Sequence, residues 1–243
     1  DTQFNLIAAW EDYRHMKPEI YVAKYVTSIA KWENPIKVTD TKIGAMNPAI
    51  TSIFDDIFVA YTDFSNDISV IKIVNINMNT MSIASNVSVC SDAQTMSDNA
   101  DILSCVNGEL VCVWNDSSTG KYEIYASTIN PDLDILIPSV KISSSNGGAQ
   151  NPVLTCNYGE TNDIQIVWHD YASGNYVEFD PYDASNVYTD SAYITPSEPF
   201  QHTLFLAKYD ITNNSFGASL KFNLSDRNAL FPAVPRTYTA TSP

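Results

Sequence analysis

Short apolar runs that end in an aromatic residue recur along the chain. Each run is followed by one variable residue, then an aspartate, and then a polar turn. The four runs are NLIAAWEDY at 5–13, DIFVAYTDF at 56–64, ELVCVWNDS at 109–117 and DIQIVWHDY at 163–171. Their aromatic residues, Trp10, Tyr61, Trp114 and Trp168, are spaced by 51, 53 and 54 residues. Self-similarity at such an interval predicts a repeat architecture.

Three further elements recur at nearly the same interval. They are NPAI at 47, NADI at 99, NPVL at 151 and FPAV at 231; EIYVAK at 19, ISVIKI at 68, EIYAST at 123 and TLFLAK at 203; and PIKVTD at 35, NVSVCS at 86, SVKISS at 139 and SLKFNL at 219. The last set alternates apolar and polar residues, as a half-buried strand does. Each unit therefore predicts four short antiparallel strands, which is typical of a β-propeller blade. We expect an all-β, four-bladed propeller in one domain.

The order of the elements also predicts how the ring closes. The chain starts at a second strand and ends just after a first strand, so the C-terminal strand would complete the N-terminal blade and remove a free sheet edge. The blades would comprise 231–243 with 1–46, then 47–98, 99–150 and 151–230. A cut-out from a longer propeller is the alternative. Because the chain begins with Asp1 and has no initiator Met, we expect a processed or trimmed chain.

Residues repeated in every blade are expected to be scaffold residues first. We expect the four aromatic residues to pack between blades. The aspartates that follow them should accept hydrogen bonds from turn N–H groups; they are Asp12, Asp63, Asp116 and Asp170. Function is then expected where the repeat is interrupted.

The repeat resembles a known group of propellers. The segments WEDYRHMKPEIYVAK at 10–24 and WNDSSTGKYEIYAS at 114–127 are similar to the W-x-D-x-R-x-G-x-x-[DE]-I-Y repeats of sialidase-like and TolB-like propellers in exported proteins. This resemblance covers nearly the whole chain and implies a fold, not an activity. The sialidase Asp-box, S-x-D-x-G-x-x-W, is absent. Most such relatives have about five to eight blades, so four would be a departure.

Charge and cysteine usage narrow the choice of partners. With 13 basic and 28 acidic residues the formal net charge is −15, which disfavours nucleic acid and anionic membranes. No apolar run is long enough to span a bilayer. The composition suits a secreted protein or one on a cell or virion surface, and a homo-oligomer is possible in such a setting. The four cysteines, Cys90, Cys105, Cys112 and Cys156, lack a C-x-x-C pair and are expected to be buried thiols.

One long insertion interrupts the repeat. The first-strand elements at 151 and 231 lie 80 residues apart instead of 52, and the additional residues fall in 171–201. Aromatic platforms and carboxylates suit sugars, and carboxylate oxygens also suit calcium. The predicted ligand-binding residues are Tyr176, Tyr182, Asp183, Tyr188, Asp190 and Tyr193, and the weak calcium candidates are Asp180, Asp183 and Asp190. The alternative is a loop that packs on its own tyrosines.

The propeller axis is the second candidate site. First strands line the axis, so Asn47, Asn99 and Asn151 should meet near one end, where they would bind a ligand or satisfy local turns. Asp101 is the acidic residue of a first-strand core and would serve an axial glycosidase. The three arginines, Arg14, Arg227 and Arg236, do not match the arginine cluster that a resemblance to sialidases would imply.

These observations favour a non-enzymatic recognition module that binds glycans in the manner of a lectin. The alternatives are a protein-interaction or structural surface component, and a glycoside hydrolase with axial carboxylates. The expected partner is therefore a carbohydrate or a protein, with calcium as a possible cofactor and no catalytic residue assigned.

Overall fold

A computed structural model describes residues 5–64, 68–90, 96–144, 147–156, 164–173 and 201–221. These residues form strands in four sheets, together with one 3-10 turn at Thr27–Ile29. The strands are β1 Leu6–Asp12, β2 Glu19–Val26, β3 Lys31–Trp32, β4 Ile36–Lys37, β5 Ala45–Ile53, β6 Asp56–Asp63, β7 Val70–Asn77, β8 Ser82–Ser88, β9 Ser97–Ser104, β10 Leu110–Asp116, β11 Glu123–Ile129, β12 Ile135–Lys141, β13 Ala149–Cys156, β14 Ile164–Ser173, β15 Gln201–Asp210, β16 Ser215–Phe216 and β17 Leu220–Lys221. In this part of the chain no helix is long and apolar enough to cross a membrane.

The four sheets are the four predicted blades. Blades 2 and 3 each contain four antiparallel strands in sequential order, β5 to β8 and β9 to β12. Blade 1 is formed by β1 to β4, and blade 4 by β13 to β17, with the outer strand of each divided into two short pieces. The predicted all-β, four-bladed propeller is confirmed. The predicted pairing of the C-terminal strand with blade 1 lies outside the described residues.

The hydrophobic core lies in layers between neighbouring blades. One cluster joins blades 1 and 2 and includes Tyr61, a second joins blades 2 and 3 and includes Trp114, and a third joins blades 3 and 4 and includes Trp168. Trp114 and Trp168 are fully buried. A middle strand is covered on both faces, which explains why its apolar run is nearly continuous, whereas the exposed outer strands alternate.

The first strands of blades 2, 3 and 4 contain the same irregularity. Asn47, Asn99 and Asn151 have φ values of 54°, 50° and 54°, in the left-handed region. Each lies at a shift of register between the first and second strands. Asparagine adopts this conformation more readily than most residues because its short side chain can bond locally. The repeated asparagine is therefore required by a β-bulge at the start of each first strand.

A side-chain hydrogen bond repeated in blades 1, 2 and 3 connects the third strand to the segment that follows the outer strand. Ile20 N–H donates to Thr39 Oγ1 at 2.9 Å, Ile71 N–H to Cys90 Sγ at 3.0 Å, and Ile124 N–H to Ser143 Oγ at 2.8 Å. A thiol thus occupies in blade 2 the place of a hydroxyl in blades 1 and 3. Burial raises the pKa of Cys90 to about 11 and that of Cys105 to about 12. Cys105, Cys112 and Cys156 are buried thiols, as predicted, whereas Cys90 is half-buried.

Blades 1 and 3 share a buried glutamate at the start of the third strand, where blades 2 and 4 have no carboxylate. Glu19 accepts hydrogen bonds from Thr39 Oγ1 at 2.5 Å and the Thr41 N–H at 3.1 Å, and pairs with Lys17 at 3.0 Å. Glu123 in blade 3 is arranged in the same way. It accepts from the Ser143 hydroxyl and pairs with Lys121 at 3.5 Å and Lys141 at 3.7 Å. The strand register places Val70 in blade 2 and Thr203 in blade 4 at this position.

Candidate functional site at the axial rim

The starts of the first strands and the ends of the second strands lie at the same end of each blade. Met46 is paired with Thr62, Asp98 with Asn115, and Gln150 with His169. We call this surface the axial rim. It consists of Asn47, Asn99 and Asn151, of the residue after each repeat aromatic, namely Glu11, Thr62, Asn115 and His169, and of Asp98. In blade 4, β14 ends and β15 begins at this same end.

Side chains of the axial rim cap the left-handed asparagines from one blade to the next. Asn47 N–H donates to Glu11 Oε1 at 2.8 Å, and Asn151 N–H donates to Asn115 Oδ1 at 2.9 Å. First strands of adjacent blades share no backbone ladder, so their N–H groups require acceptors on side chains. At the junction of blades 2 and 3 the equivalent residue is Thr62, whose buried Oγ1 has no hydrogen-bond partner.

A chain of side-chain amides connects blade 3 to blade 4. Asn99 Nδ2 donates to Asn151 Oδ1 at 3.4 Å, and Asn151 Nδ2 lies 3.4 Å from His169 Nδ1. Because Asn151 Oδ1 is the acceptor for Asn99, its Nδ2 faces the imidazole, which assigns Nδ1 of His169 as an acceptor. The structure thus brings Asn99 and Asn151 together, whereas Asn47 is bound to Glu11.

Two half-buried carboxylates belong to the axial rim. Glu11 receives the Asn47 N–H on Oε1 and the Tyr13 hydroxyl on Oε2, at 2.8 and 3.1 Å. Asp98 receives Asn115 Nδ2 on Oδ1 and the Tyr122 hydroxyl on Oδ2, at 2.7 and 3.3 Å. Glu11 lies where blade 1 meets blade 2, and Asp98 where blade 3 meets blade 4. In a four-bladed ring these two junctions are on opposite sides of the axis.

Asp101, the acidic residue singled out in the first strands, is a scaffold residue. It is 8% exposed, and its two oxygens accept the N–H groups of Ile102 at 2.9 Å and Leu154 at 2.8 Å. It therefore ties the first strand of blade 3 to that of blade 4. Its expected role as an axial acid or base is not supported by this geometry, since both oxygens are committed to the backbone.

The repeated aspartates and Arg14 belong to turns. Asp12 accepts the Arg14 N–H at 2.9 Å and its Nε–H at 2.8 Å, and these bonds lower the pKa of Asp12 well below its usual range. Asp116 accepts the Ser118 N–H at 2.8 Å. The predicted turn role thus holds at Asp12 and Asp116, while Asp63 pairs with Lys72 at 2.7 Å.

The insertion candidates cannot be placed in this geometry. The six predicted residues Tyr176, Tyr182, Asp183, Tyr188, Asp190 and Tyr193, and the calcium candidate Asp180, lie outside the described residues. Arg227, Phe231 and Arg236 do as well. Within the described part of the chain, no group of three histidine, cysteine or carboxylate side chains could hold a metal ion. The predictions for the insertion therefore stay predictions.

The two carboxylates of the axial rim, Glu11 and Asp98, were not predicted from the sequence. Asp98 occupies the place of Met46 in blade 2 and Gln150 in blade 4, directly before the repeated asparagine. Glu11 occupies the variable place between the aromatic residue and the aspartate. Both lie where otherwise equivalent blades differ. Comparing the positions that differ between blades, rather than those that recur in every blade, could have identified Glu11 and Asp98 from the sequence.

Comparison with known proteins supports the architecture. No protein-family model and no curated protein sequence matches the chain. A subtype N10 neuraminidase-like protein of A/little yellow-shouldered bat/Guatemala/060/2010 aligns with a TM-score of 0.52 and 8% identity, over 90% of this chain and 55% of its own. A Penicillium chrysogenum α-L-arabinanase aligns with a TM-score of 0.49 and 12% identity, over 89% and 70%. The GH43 endo-arabinanase of Bacillus licheniformis aligns at 0.47 and 11%, over 92% and 78%.

The similarity to the neuraminidase-like protein supports the propeller fold alone, and the chain is shorter than the proteins it resembles. It spans 62% of a thermostable family-43 glycoside hydrolase and 55% of the neuraminidase-like protein. The resemblance to sialidase-like propellers is thereby supported for the fold, while the W-x-D repeat motif itself is not.

The comparisons correct the functional prediction. A non-enzymatic, lectin-like module was expected, but the similar structures are mostly glycoside hydrolases. The main prediction and its leaning against an enzyme are therefore wrong. No observation tests the protein-interaction alternative or the predicted location.

Proposed function

We propose that the chain is a glycoside hydrolase that uses Glu11 and Asp98 as its pair of carboxylates. The observation that carries this proposal is the pair itself. Two half-buried carboxylates lie at opposite junctions of one propeller end, each oriented by two hydrogen bonds. Hydrolysis of a glycosidic bond requires two such groups, one on each side of the scissile bond.

The hydrogen bonds favour different roles for the two groups. Asn115 and Tyr122 donate to both oxygens of Asp98, and donors on both oxygens favour a carboxylate in its ionised form. Asp98 is therefore assigned as the base or nucleophile. Glu11 also receives one donor on each oxygen, but the donor on Oε2 is the hydroxyl of the exposed Tyr13, which the oxygen of a leaving group can displace. Glu11 is assigned as the general acid.

The amides of the axial rim support a carbohydrate as the ligand. Asn99 and Asn151, which are half-buried, present both donors and acceptors near Asp98, and sugar hydroxyls require both kinds of partner. A net charge of −15 also suits a neutral sugar better than an acidic one. Carbohydrate-active proteins among the similar structures agree with this choice.

The proposal is tested with Glu11→Gln and Asp98→Asn on a panel of aryl glycosides and the matching oligosaccharides, α-L-arabinofuranosides included. Loss of the acid should reduce kcat on oligosaccharides by about 10²–10⁴-fold. It should affect dinitrophenyl glycosides little, because that leaving group needs no proton. Loss of Asp98 should abolish turnover of both substrate types.

Matched controls replace carboxylates away from the axial rim. Glu33→Gln, near the outer strand of blade 1, and Asp55→Asn, in the turn between β5 and β6, should leave turnover unchanged. No hydrolysis of any panel member by the unaltered chain, or equal activity of Asp98→Asn and the unaltered chain, would overturn the proposal.

A further inference from the structure

We propose that Asn115 is a positioning residue, which couples the orientation of the Asp98 carboxylate to the first strand of blade 4. This inference rests on the proposed function of Asp98 and deepens it. It identifies the junction of blades 3 and 4, rather than blade 3 alone, as the structure that prepares the proposed base or nucleophile for reaction.

The side chain of Asn115 is held at both ends. Its Oδ1 accepts the Asn151 N–H at 2.9 Å, and its Nδ2 donates to Asp98 Oδ1 at 2.7 Å. The N–H of Asn151 can only donate, so the oxygen of the amide must face it and the NH₂ group must face Asp98. Asn115 is 2% exposed, so water does not compete for these bonds. The amide of Asn115 therefore has one orientation, and its hydrogen bond to Oδ1 orients the carboxylate of Asp98.

The second donor to Asp98 is anchored to the same strand. The Tyr122 hydroxyl donates to Asp98 Oδ2 at 3.3 Å, while the main-chain carbonyl of Tyr122 accepts the Ala149 N–H at 2.8 Å. Ala149 and Asn151 are both in β13. Each oxygen of Asp98 is thus connected, through one residue, to a backbone N–H of the neighbouring blade.

Equivalent places in other blades lack this combination. Pro18 in blade 1 corresponds to Tyr122, and its carbonyl also accepts an N–H from the next blade, that of Ala45 at 2.9 Å. It has no hydroxyl to offer. In blade 2 the residues that correspond to Asp98 and Asn115 are Met46 and Thr62. The backbone anchor is therefore part of the repeat, whereas the two donors occur together with a carboxylate in blade 3.

The proposal is tested by Asn115→Asp, which keeps an oxygen for the Asn151 N–H but places a second carboxylate against Asp98. Two carboxylates this close cannot both ionise easily. In the variant, the Asp98 titration followed by NMR should move upward by about one unit or more. The acid limb of the kcat/KM profile should move with it, so that activity at the acid end of the profile falls by up to about tenfold for each unit of the move and changes little near pH 7.5.

Tyr122→Phe is a second, milder variant, which removes one donor and should move the Asp98 titration in the same direction by less. Asn75→Asp is the matched control, because Asn75 is a buried asparagine that donates to the Pro131 carbonyl outside the axial rim. It should leave the Asp98 titration unchanged.

The NMR readout separates the two proposals. A chain without activity whose Asp98 titration responds to both variants would overturn the proposed function and retain the coupling. An unmoved titration in folded Asn115→Asp and Tyr122→Phe proteins would overturn the coupling, whatever the activity.

Discussion

Asp98 and Asp101 lie three residues apart in one strand and have different surroundings. Asp101 is buried, and its oxygens accept two backbone N–H groups from two blades. Asp98 is half-buried and accepts from two side chains, Asn115 and Tyr122, rather than from the backbone. Exposure and the type of donor, rather than the presence of a carboxylate near the axis, distinguish a scaffold residue from a candidate catalytic one.

Asp101→Asn should destabilise the protein. An amide offers one oxygen where two N–H groups need acceptors, so its NH₂ group would face the N–H of Ile102 or of Leu154. A buried donor left without an acceptor costs about 1–3 kcal/mol. Urea unfolding should show a fall of that size in the free energy of unfolding. Asp55→Asn provides the comparison, and equal stability of the two variants would contradict the role assigned to Asp101.

For individual residues, the sequence predicted those that pack between blades better than those of the candidate site at the axial rim. Trp114 and Trp168 were expected between blades and are found there, because a bulky aromatic at every repeat can hardly serve anything but packing. Asp98 and Glu11 were not found. Their importance depends on which groups donate to them, and these partners, 17 to 36 residues away in sequence, are set by the fold.

Among the elements, the three described blade junctions differ in how they cap the next first strand. Glu11 and Asn115 cap Asn47 and Asn151. At the middle junction the shorter side chain of Thr62 makes no such bond, and its buried hydroxyl has no hydrogen-bond partner. Asn99 is the residue that a longer side chain would reach. The middle junction is therefore the place where the scaffold can be improved.

Thr62→Asn copies the arrangement of Asn115 at the middle junction. The two side chains have similar volumes, so the change should add a hydrogen bond to the Asn99 N–H without crowding. A net gain of about 1 kcal/mol is expected, seen as a higher Tm in calorimetry. Thr51→Asn, elsewhere in blade 2, replaces a hydroxyl that already accepts the Ser104 N–H at 3.2 Å, so it adds no hydrogen bond and should not stabilise. A Thr62→Asn protein less stable than the starting chain would contradict the assignment.

The strand elements themselves were predictable from the repeat. The apolar runs, their aromatic ends and the repeated asparagines predicted the order of the described strands. Periodicity did not reveal that the outer strands of blades 1 and 4 divide into two-residue pieces. Exposed edge strands make few contacts, so the sequence there is weakly constrained.

For the whole molecule, stability should decrease in acid. Burial by itself would raise the pKa of Glu19, but hydrogen bonds from Thr39 and Thr41 and the nearby Lys17 and Lys37 outweigh it, and the pKa is lowered. A group whose pKa is lower in the folded state stabilises the fold above its unfolded value, about 4.3, and ceases to do so as pH falls through the folded value.

Glu19→Gln should therefore lower Tm at pH 7, and the difference from the unaltered chain should shrink as pH falls from about 5 to 3. Thermal unfolding followed by circular dichroism at each pH provides the measurement. Glu33→Gln, which replaces a glutamate with 42% side-chain exposure, should give a small difference at every pH. A Glu19→Gln difference that is constant across this range would show that the carboxylate is not the origin of the effect.

The buried carboxylates of blades 1 and 3 have an evolutionary consequence. Glu19 and Glu123, Lys17 and Lys121, and Asn47 and Asn151 are each separated by 104 residues, twice the spacing of one blade. The same interval relates Trp10 to Trp114 and Lys37 to Lys141. Blades 1 and 3 are thus more alike than either is to blade 2, the pattern that duplication of a two-blade ancestor would leave. Glu11 and Asn115 would then descend from one ancestral position, with the acid kept in one copy and the amide in the other.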